Sequence, residues 1–163
     1  MIPPSIEQYL RERSLPFEPH VHRRAVAAQR LAAAEHVAGT RVAKVVVVRV
    51  DGALALAVIA APQRLDLERM RTATGAQAAS LPPEKTFADR FLPCEAGAEP
   101  PLGVFGLPIF VDAALAREPR ILMRAGTHED AIEVATDDWL LAERVRIVEG
   151  LGARPEPPAG PAH

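Results

Sequence analysis

Val42-Ala43-Lys44-Val45-Val46-Val47-Val48-Arg49-Val50-Asp51-Gly52-Ala53-Leu54-Ala55-Leu56-Ala57-Val58-Ile59-Ala60-Ala61 sets two apolar runs on either side of an Asp-Gly pair. A two-residue type I′ turn needs positive φ at both central positions, which Asp-Gly adopts more readily than most pairs. The stretch therefore predicts an antiparallel hairpin, Val42–Val50 with Ala53–Ala61, ended by Pro62. Inside its first strand stands Lys44, one of two lysines in a chain whose other seventeen basic residues are arginines. A hydrated ammonium in a buried strand either snorkels along its stem to water or serves a purpose. The strand by itself leaves both readings open.

Upstream, Ser5 reads as the N-cap of a short helix ending near Arg13, with Ile6, Tyr9 and Leu10 on one face. Leu15 to Val21 reads as a strand that its prolines confine to a sheet edge. Ala25 to Val37, rich in alanine and without internal Gly or Pro, predicts a helix stopped by Gly39. Downstream, Asp66 caps a helix to about Ala73 that Gly75 closes, and Pro82-Pro83-Glu84 opens another reaching Phe91. Pro93 to Pro108 holds four prolines and three glycines, and a loop of that length in a compact domain points to function. Ile109-Phe110-Val111 is a strand, with Asp112 capping the short helix after it. Arg120–Arg124 and Ala131–Ala135 read as strands around Gly126-Thr127-His128, and Asp137 as the cap of a last helix carrying Trp139. The pattern predicts an α+β fold, one domain over residues 1–149 with a mixed, mostly antiparallel sheet and packed helices. Gly150 to His163 reads as a Pro/Gly-rich disordered tail.

Composition narrows the function. The 163 residues suffice for one domain with a proper core, which scarce aromatics (4%) leave to Val, Leu, Ile and Ala. A net charge of −2 argues against holding DNA by bulk electrostatics, and no helix carries a dense basic stripe. Arg11, Arg13, Arg23 and Arg24 form at most a modest phosphate-contacting face. The single cysteine, Cys94, excludes an intramolecular disulfide and fits a reducing compartment. No apolar run reaches the roughly 18 residues that span a bilayer, and no leader pattern opens the chain, so a cytoplasmic protein without a membrane partner is expected.

Familiar catalytic machineries are missing: no Walker loop, no GxGxxG, no HExxH, no GxSxG and no paired cysteines for zinc. His20 and His22 point the same way on their strand, yet the sequence shows no carboxylate or thiolate to complete a metal set, so neither metal nor cofactor is expected. His36, late in a helix, reads as a partner of its C-terminal dipole. Two segments remain. Cys94-Glu95-Ala96-Gly97-Ala98-Glu99-Pro100-Pro101-Leu102-Gly103 is a stiffened glycine loop whose amides can hold a carbonyl or a developing oxyanion. Ala125-Gly126-Thr127-His128-Glu129 is a glycine turn carrying a histidine.

Val42-Ala43-Lys44-Val45-Val46-Val47, Gly97-Ala98-Glu99-Pro100-Pro101-Leu102-Gly103, Leu107-Pro108-Ile109-Phe110-Val111-Asp112 and Ala125-Gly126-Thr127-His128 follow one another in an order that resembles the YbaK/ProX-type aminoacyl-tRNA deacylases. That family is related to the editing insertion domain of bacterial prolyl-tRNA synthetases, and the resemblance runs from about Ile6 to Val148. It implies a compact mixed α/β domain that hydrolyses, in trans, the ester between a wrong amino acid and its tRNA. It implies Lys44, Gly97 and His128 as catalytic residues, and Ala98, Glu99, Pro100, Pro101, Gly103, Gly126 and Thr127 around the substrate. The expected partner is the acceptor end of an aminoacyl-tRNA, with a synthetase as a further one. Ala98-Glu99 departs from the family's loop and bears on which side chain the pocket accepts. A non-catalytic module that binds tRNA or a synthetase through the same pocket is the competing reading.

Overall fold

The computed structural model describes residues 1–22, 28–35 and 37–154. The expected hairpin is there: β2 (Ala43–Val50) and β3 (Ala53–Ala60) pair antiparallel from Val50↔Ala53 to Ala43↔Ala60. Asp51 and Gly52 turn with φ of 45° and 85°, the positive pair that a type I′ turn demands. Around this hairpin the chain adds α1 (Pro4–Glu12), β1 (Glu18–Val21) and α2 (Ala28–Ala34) before it. After it come β4 (Arg64–Leu65), α3 (Leu67–Thr74), β5 (Ala79–Ser80), β6 (Ile109–Asp112) and α4 (Ala113–Ala116). The chain closes with β7 (Arg120–Arg124), β8 (Asp130–Ala135), α5 (Thr136–Ala142), β9 (Arg146–Val148) and β10 (Gly152–Ala153).

Among the described residues the strands form a five-stranded sheet in the order β5-β2-β3-β6-β9, a three-stranded sheet β1-β8-β7 and a ribbon β10-β4. Antiparallel pairs predominate, with β3–β6 and β6–β9 the parallel ones. A parallel bridge from Val42 to Leu122 joins the two larger sheets. Alternation then sorts the hairpin's side chains. Ala43, Val47, Leu56 and Val58 face a core shared with Met123, Ile132, Ile6, Leu10 and Trp139, whereas Val48, Ala57 and Ile59 face Met70 of α3 and Leu151. Both faces are covered, which is why these strands read as almost unbroken apolar runs. Leu31 and Ala32 of α2 close a third cluster over Val42, Ala61 and Leu122.

Several local expectations shift. α1 starts at Pro4 behind Pro3 with no side-chain cap, so Ser5 lies inside it, and proline supplies the helical φ at the start. The helix expected over 82–91 is two 3₁₀ turns, Glu84–Thr86 and Ala88–Phe91, because Phe87 leaves helical geometry at φ −129°. Phe87 instead packs edge-on against Phe91, which meets Phe105 in turn. α5 begins at Thr136, so Asp137 sits in its first turn, where it favours the helix dipole without capping. Asp66, Gly75 and Asp112 act as expected: the two carboxylates accept from Arg69 N and Ala114 N, and Gly75 takes φ 70°. The expected helix from Ala25 to Val37 is represented by α2, while residues 25–27 and His36 lie outside the described residues. Arg23, Arg24 and the tail from Pro155 also lie outside them.

The start of the expected tail is structured. Gly152 and Ala153 pair with Leu65 and Arg64, Leu151 is fully buried, and its carbonyl accepts from Asp66 N at 2.9 Å. Gly152 N donates to Asp112 Oδ1 at 2.9 Å, so the domain runs past residue 149. Chains ended at Arg154 and at Glu149 are therefore expected to differ in urea unfolding. The shorter one loses a buried leucine and should be about 2–5 kcal/mol less stable; equal midpoints for the two would contradict this boundary.

Candidate functional site

The loop after the second 3₁₀ turn is clasped to the end of β7 by two backbone hydrogen bonds on one glycine. Glu95 N donates to Gly126 O and Gly126 N donates to Ala98 O, each at 2.9 Å, while Ala98 N turns back to Glu95 O at 3.0 Å. Gly126 has φ 103°, and a Cβ there would stand 2.8 Å from the Pro3 ring, so only glycine fits. The clasp brings two of the candidate segments together. Gly97, at φ 81°, lies beside the His128 ring, where a Cβ would stand in van der Waals contact with Cε1 at 3.5 Å.

His128 is 3% exposed and its Nε2 lies 2.8 Å from Ala96 O. A carbonyl only accepts, so Nε2 carries the proton and Nδ1 presents a lone pair, which has no partner among the described residues. Thr127 shapes this turn: its hydroxyl donates to Asp130 Oδ2 at 2.6 Å and accepts from the amides of Glu129 and Asp130. Arg124, also buried, donates to the His128 carbonyl at 3.5 Å. Burial lowers its pKa to about 10 against the opposing pull of Glu95.

The far end of the loop is held from α5. Trp139 Nε1 donates to Pro101 O at 2.8 Å. Gly103 N donates to Glu143 Oε2 at 3.0 Å, and the Tyr9 hydroxyl donates to the same oxygen at 2.7 Å. Pro100 and Pro101 are buried between these anchors. Trp139 and Glu143 thus fix the loop's shape; the sequence reading gave neither a role at the site, although a lone tryptophan next to no other aromatic was a usable signal.

Glu99 is the unusual member. Its side chain is 7% exposed and Oε2 has no hydrogen-bond partner among the described residues. Burial raises its pKa, the Glu99 and Gly97 amides and His128 pull it back, and Glu84 pushes it further up. Cys94 lies beside it, and burial followed by the Glu99 charge drives the thiol up to about 11, so the cysteine is a packing residue and no thiolate nucleophile.

Lys44 stands elsewhere on the sheet. Strand alternation puts it on the same face as Val46 and Val48, half-buried, where Nζ donates to the carbonyl of Gln63. Burial lowers its pKa, with Arg64 adding to the effect. Gln63 is itself tied to Ala60 N at 2.8 Å and reaches Asp112 at 3.4 Å. Hence the structure joins Gly97, Ala98, Gly126 and His128 in contact and shows Lys44 bonded to the turn after β3.

His20 has the carboxylates that the sequence did not reveal: Nδ1 lies 3.0 Å from Glu35 and Nε2 3.5 Å from Glu133. Glu133 also meets Arg120 at 2.8 Å and Arg41 at 3.3 Å, which makes this group a network of ion pairs. Arg11 pairs with Glu7 at 2.7 Å and Arg13 lies over the Tyr9 ring, so both are engaged along α1. No helix among the described residues is long and apolar enough to cross a membrane.

Comparison with known proteins gives these contacts a context. A family described as the aminoacyl-tRNA editing domain matches residues 22–141. No curated protein matches the chain. Among solved structures, the hypothetical protein APE2540 superposes with a TM-score of 0.82 at 16% identity, over 91% of this chain and 99% of that one. A protein proposed as a trans-editing enzyme for prolyl-tRNA synthetase follows at 0.77 and 18%, over 91% and 98%. A scaffold used for epitope backbone grafting reaches 0.78 at 19%, over 93% and 99%. At these identities the structural likenesses establish the fold.

The buried Glu99 predicts a pH dependence. Its pKa is higher folded than unfolded, so the folded state keeps the extra proton between the two values and loses relative stability as pH rises through them. Glu99→Gln should therefore melt above wild type at neutral pH, with the gap closing below about pH 4. Melting curves across this range that show a pH-independent gap would contradict a carboxyl whose burial outweighs its hydrogen bonds.

Proposed function

The chain belongs to the aminoacyl-tRNA editing domain family, and from that premise we propose that it is a trans-acting aminoacyl-tRNA deacylase. It cleaves the ester of a tRNA carrying a wrong, small amino acid such as Ala, Ser or Cys. The observation that carries this reading is the clasped loop: a rigid glycine turn seated on a buried histidine, with polar atoms left without partners at the contact.

An aminoacyl ester is already activated, so its hydrolysis needs a placed water and a stabilised carbonyl oxygen more than it needs a strong nucleophile. The Gly97 amide, where the loop crosses His128, is the donor assigned to the ester carbonyl. Without substrate this amide acts on the Glu99 carboxylate, so it already serves an anion. His128 forms the floor under Gly97 and presents Nδ1 as an acceptor for the water. Lys44 has three N–H donors, and one bonds Gln63 O. The others are assigned the phosphate or ribose of the terminal adenosine.

Selection follows from size. A cramped pocket excludes a larger cognate amino acid more readily than a smaller one, since one methylene contributes only about 1–3 kcal/mol. Ala98, Glu99, Pro100, Gly126 and Thr127 line the substrate in this reading, and Pro101 and Gly103 hold the loop in shape from α5. The resemblance to the proposed partner enzyme of prolyl-tRNA synthetase makes tRNA-Pro the first tRNA to offer, with that synthetase as the candidate source of tRNA specificity. The setting is the cytoplasm, where tRNA is charged.

Ala-, Ser-, Cys- and Pro-charged tRNAs incubated with wild type and with Lys44→Ala test the proposal. At least one mischarged species should be hydrolysed, and the variant should be slower by about 30- to 1,000-fold, equivalent to roughly 2–4 kcal/mol. Turnover at the wild-type rate would remove Lys44 from the reaction. Salt-dependent tRNA binding without any turnover would replace the enzyme by a binding module.

A further inference from the structure

One oxygen of Glu99, Oε2, lacks a partner among the described residues. A carboxylate withdrawn from water is costly unless a cation or several donors satisfy it. Glu99 is more than nine-tenths buried, its Oε2 is unpartnered, and the nearest other acidic charge, Glu84, opposes it. No arginine or lysine among the described residues bonds it; the Glu99 and Gly97 amides and His128 favour the carboxylate, and Oε2 is still left without a hydrogen bond.

The space in front of it has matching chemistry. A cavity of about 160 Å³ is walled by three carboxylate residues, Glu84, Asp89 and Glu99, together with apolar Phe87, Phe91 and Cys94, and no basic side chain lines it. A liquid water occupies roughly 30 Å³, so the cavity has room for the head of an amino acid and not for a nucleoside. Phosphate brings further negative charge and does not suit these walls, and a ribose with its base is too large for the space. A small cationic donor fits both.

We propose that Glu99 holds the α-ammonium of the aminoacyl ester, so that the site requires a substrate with a free amino group. The proposal rests on the deacylase reading above. Every aminoacyl ester carries this one cation, on the carbon next to the carbonyl under attack. Ala96 and Glu99 both line the cavity, and the Ala96 carbonyl receives His128 Nε2, so Ala96 joins the cavity to the histidine floor. An ammonium seated on Glu99 Oε2 therefore brings the ester carbonyl toward Gly97 and His128. On this reading the burial that raises the pKa of this carboxyl in the empty protein is offset when the substrate's ammonium arrives.

The experiment compares one mischarged tRNA in its free form and N-acetylated on the amino acid, each rate divided by its own uncatalysed rate. Wild type should accelerate the free form at least tenfold more than the acetylated one. Glu99→Gln, which keeps the shape of the side chain, should bring that ratio close to one by slowing the free form alone. Equal acceleration of both forms by wild type would overturn the proposal, as would a Glu99→Gln variant that slows both forms alike, since a merely structural residue would do that. If the variant does not fold, the wild-type ratio still decides. Failure to cleave any charged tRNA in either form would defeat the deacylase reading itself and this inference with it, an outcome distinct from turnover without amino-group selectivity.

Discussion

Two hydrogen bonds to Gly126, one from Glu95 N and one to Ala98 O, hold the candidate site together. They fasten an otherwise irregular loop to the end of a core strand, and the position of the other parts follows from them. Gly97 lies beside His128 because residues 95 to 98 are pinned on either side of it. Ala96 O reaches His128 Nε2 for the same reason. The clasp in turn requires glycine at 126, because a side chain would strike Pro3. A local backbone constraint thus links the N-terminal turn, the loop and the histidine.

The rest of the fold holds this arrangement still. β7 enters the site from a core it shares with the hairpin through Met123 and Val47. α5 secures the loop's second end through Trp139 and Glu143, which satisfy a carbonyl and an amide that burial would otherwise leave without partners. The loop therefore needs no regular structure of its own. Its rigidity comes from neighbours on strands and helices, the general condition for a site that must be formed before substrate arrives.

Much of this was legible in the sequence, for physical reasons that can be named. Asp51-Gly52 announced the hairpin because so few residue pairs accept two positive φ angles, and Asp66, Gly75 and Asp112 announced helix ends by local chemistry alone. The loop was legible from its glycines and prolines. The rest depended on contacts distant in sequence. Phe87 abandons a helix to stack on Phe91, and Gly152 forms a strand because Asp112, forty residues earlier, offers it a carboxylate oxygen. His20 could not be read correctly because its carboxylates arrive from α2's end and β8. Glu99 was placed around the substrate as a departure from the family's loop, whereas its burial with an unpartnered oxygen depends on contacts that only the fold supplies.

The central claim is that the clasped loop and the His128 turn together receive the aminoacyl end of tRNA. Amide chemical-shift mapping with a non-hydrolysable, amide-linked alanyl-adenosine tests it most directly. The account predicts that the largest shifts fall on residues 95–99 and 126–128, with a smaller set around Lys44 and Gln63. Shifts concentrated on the ion-pair network of His20 and Glu133, or along α1, with the loop unmoved, would place the ligand elsewhere and contradict it.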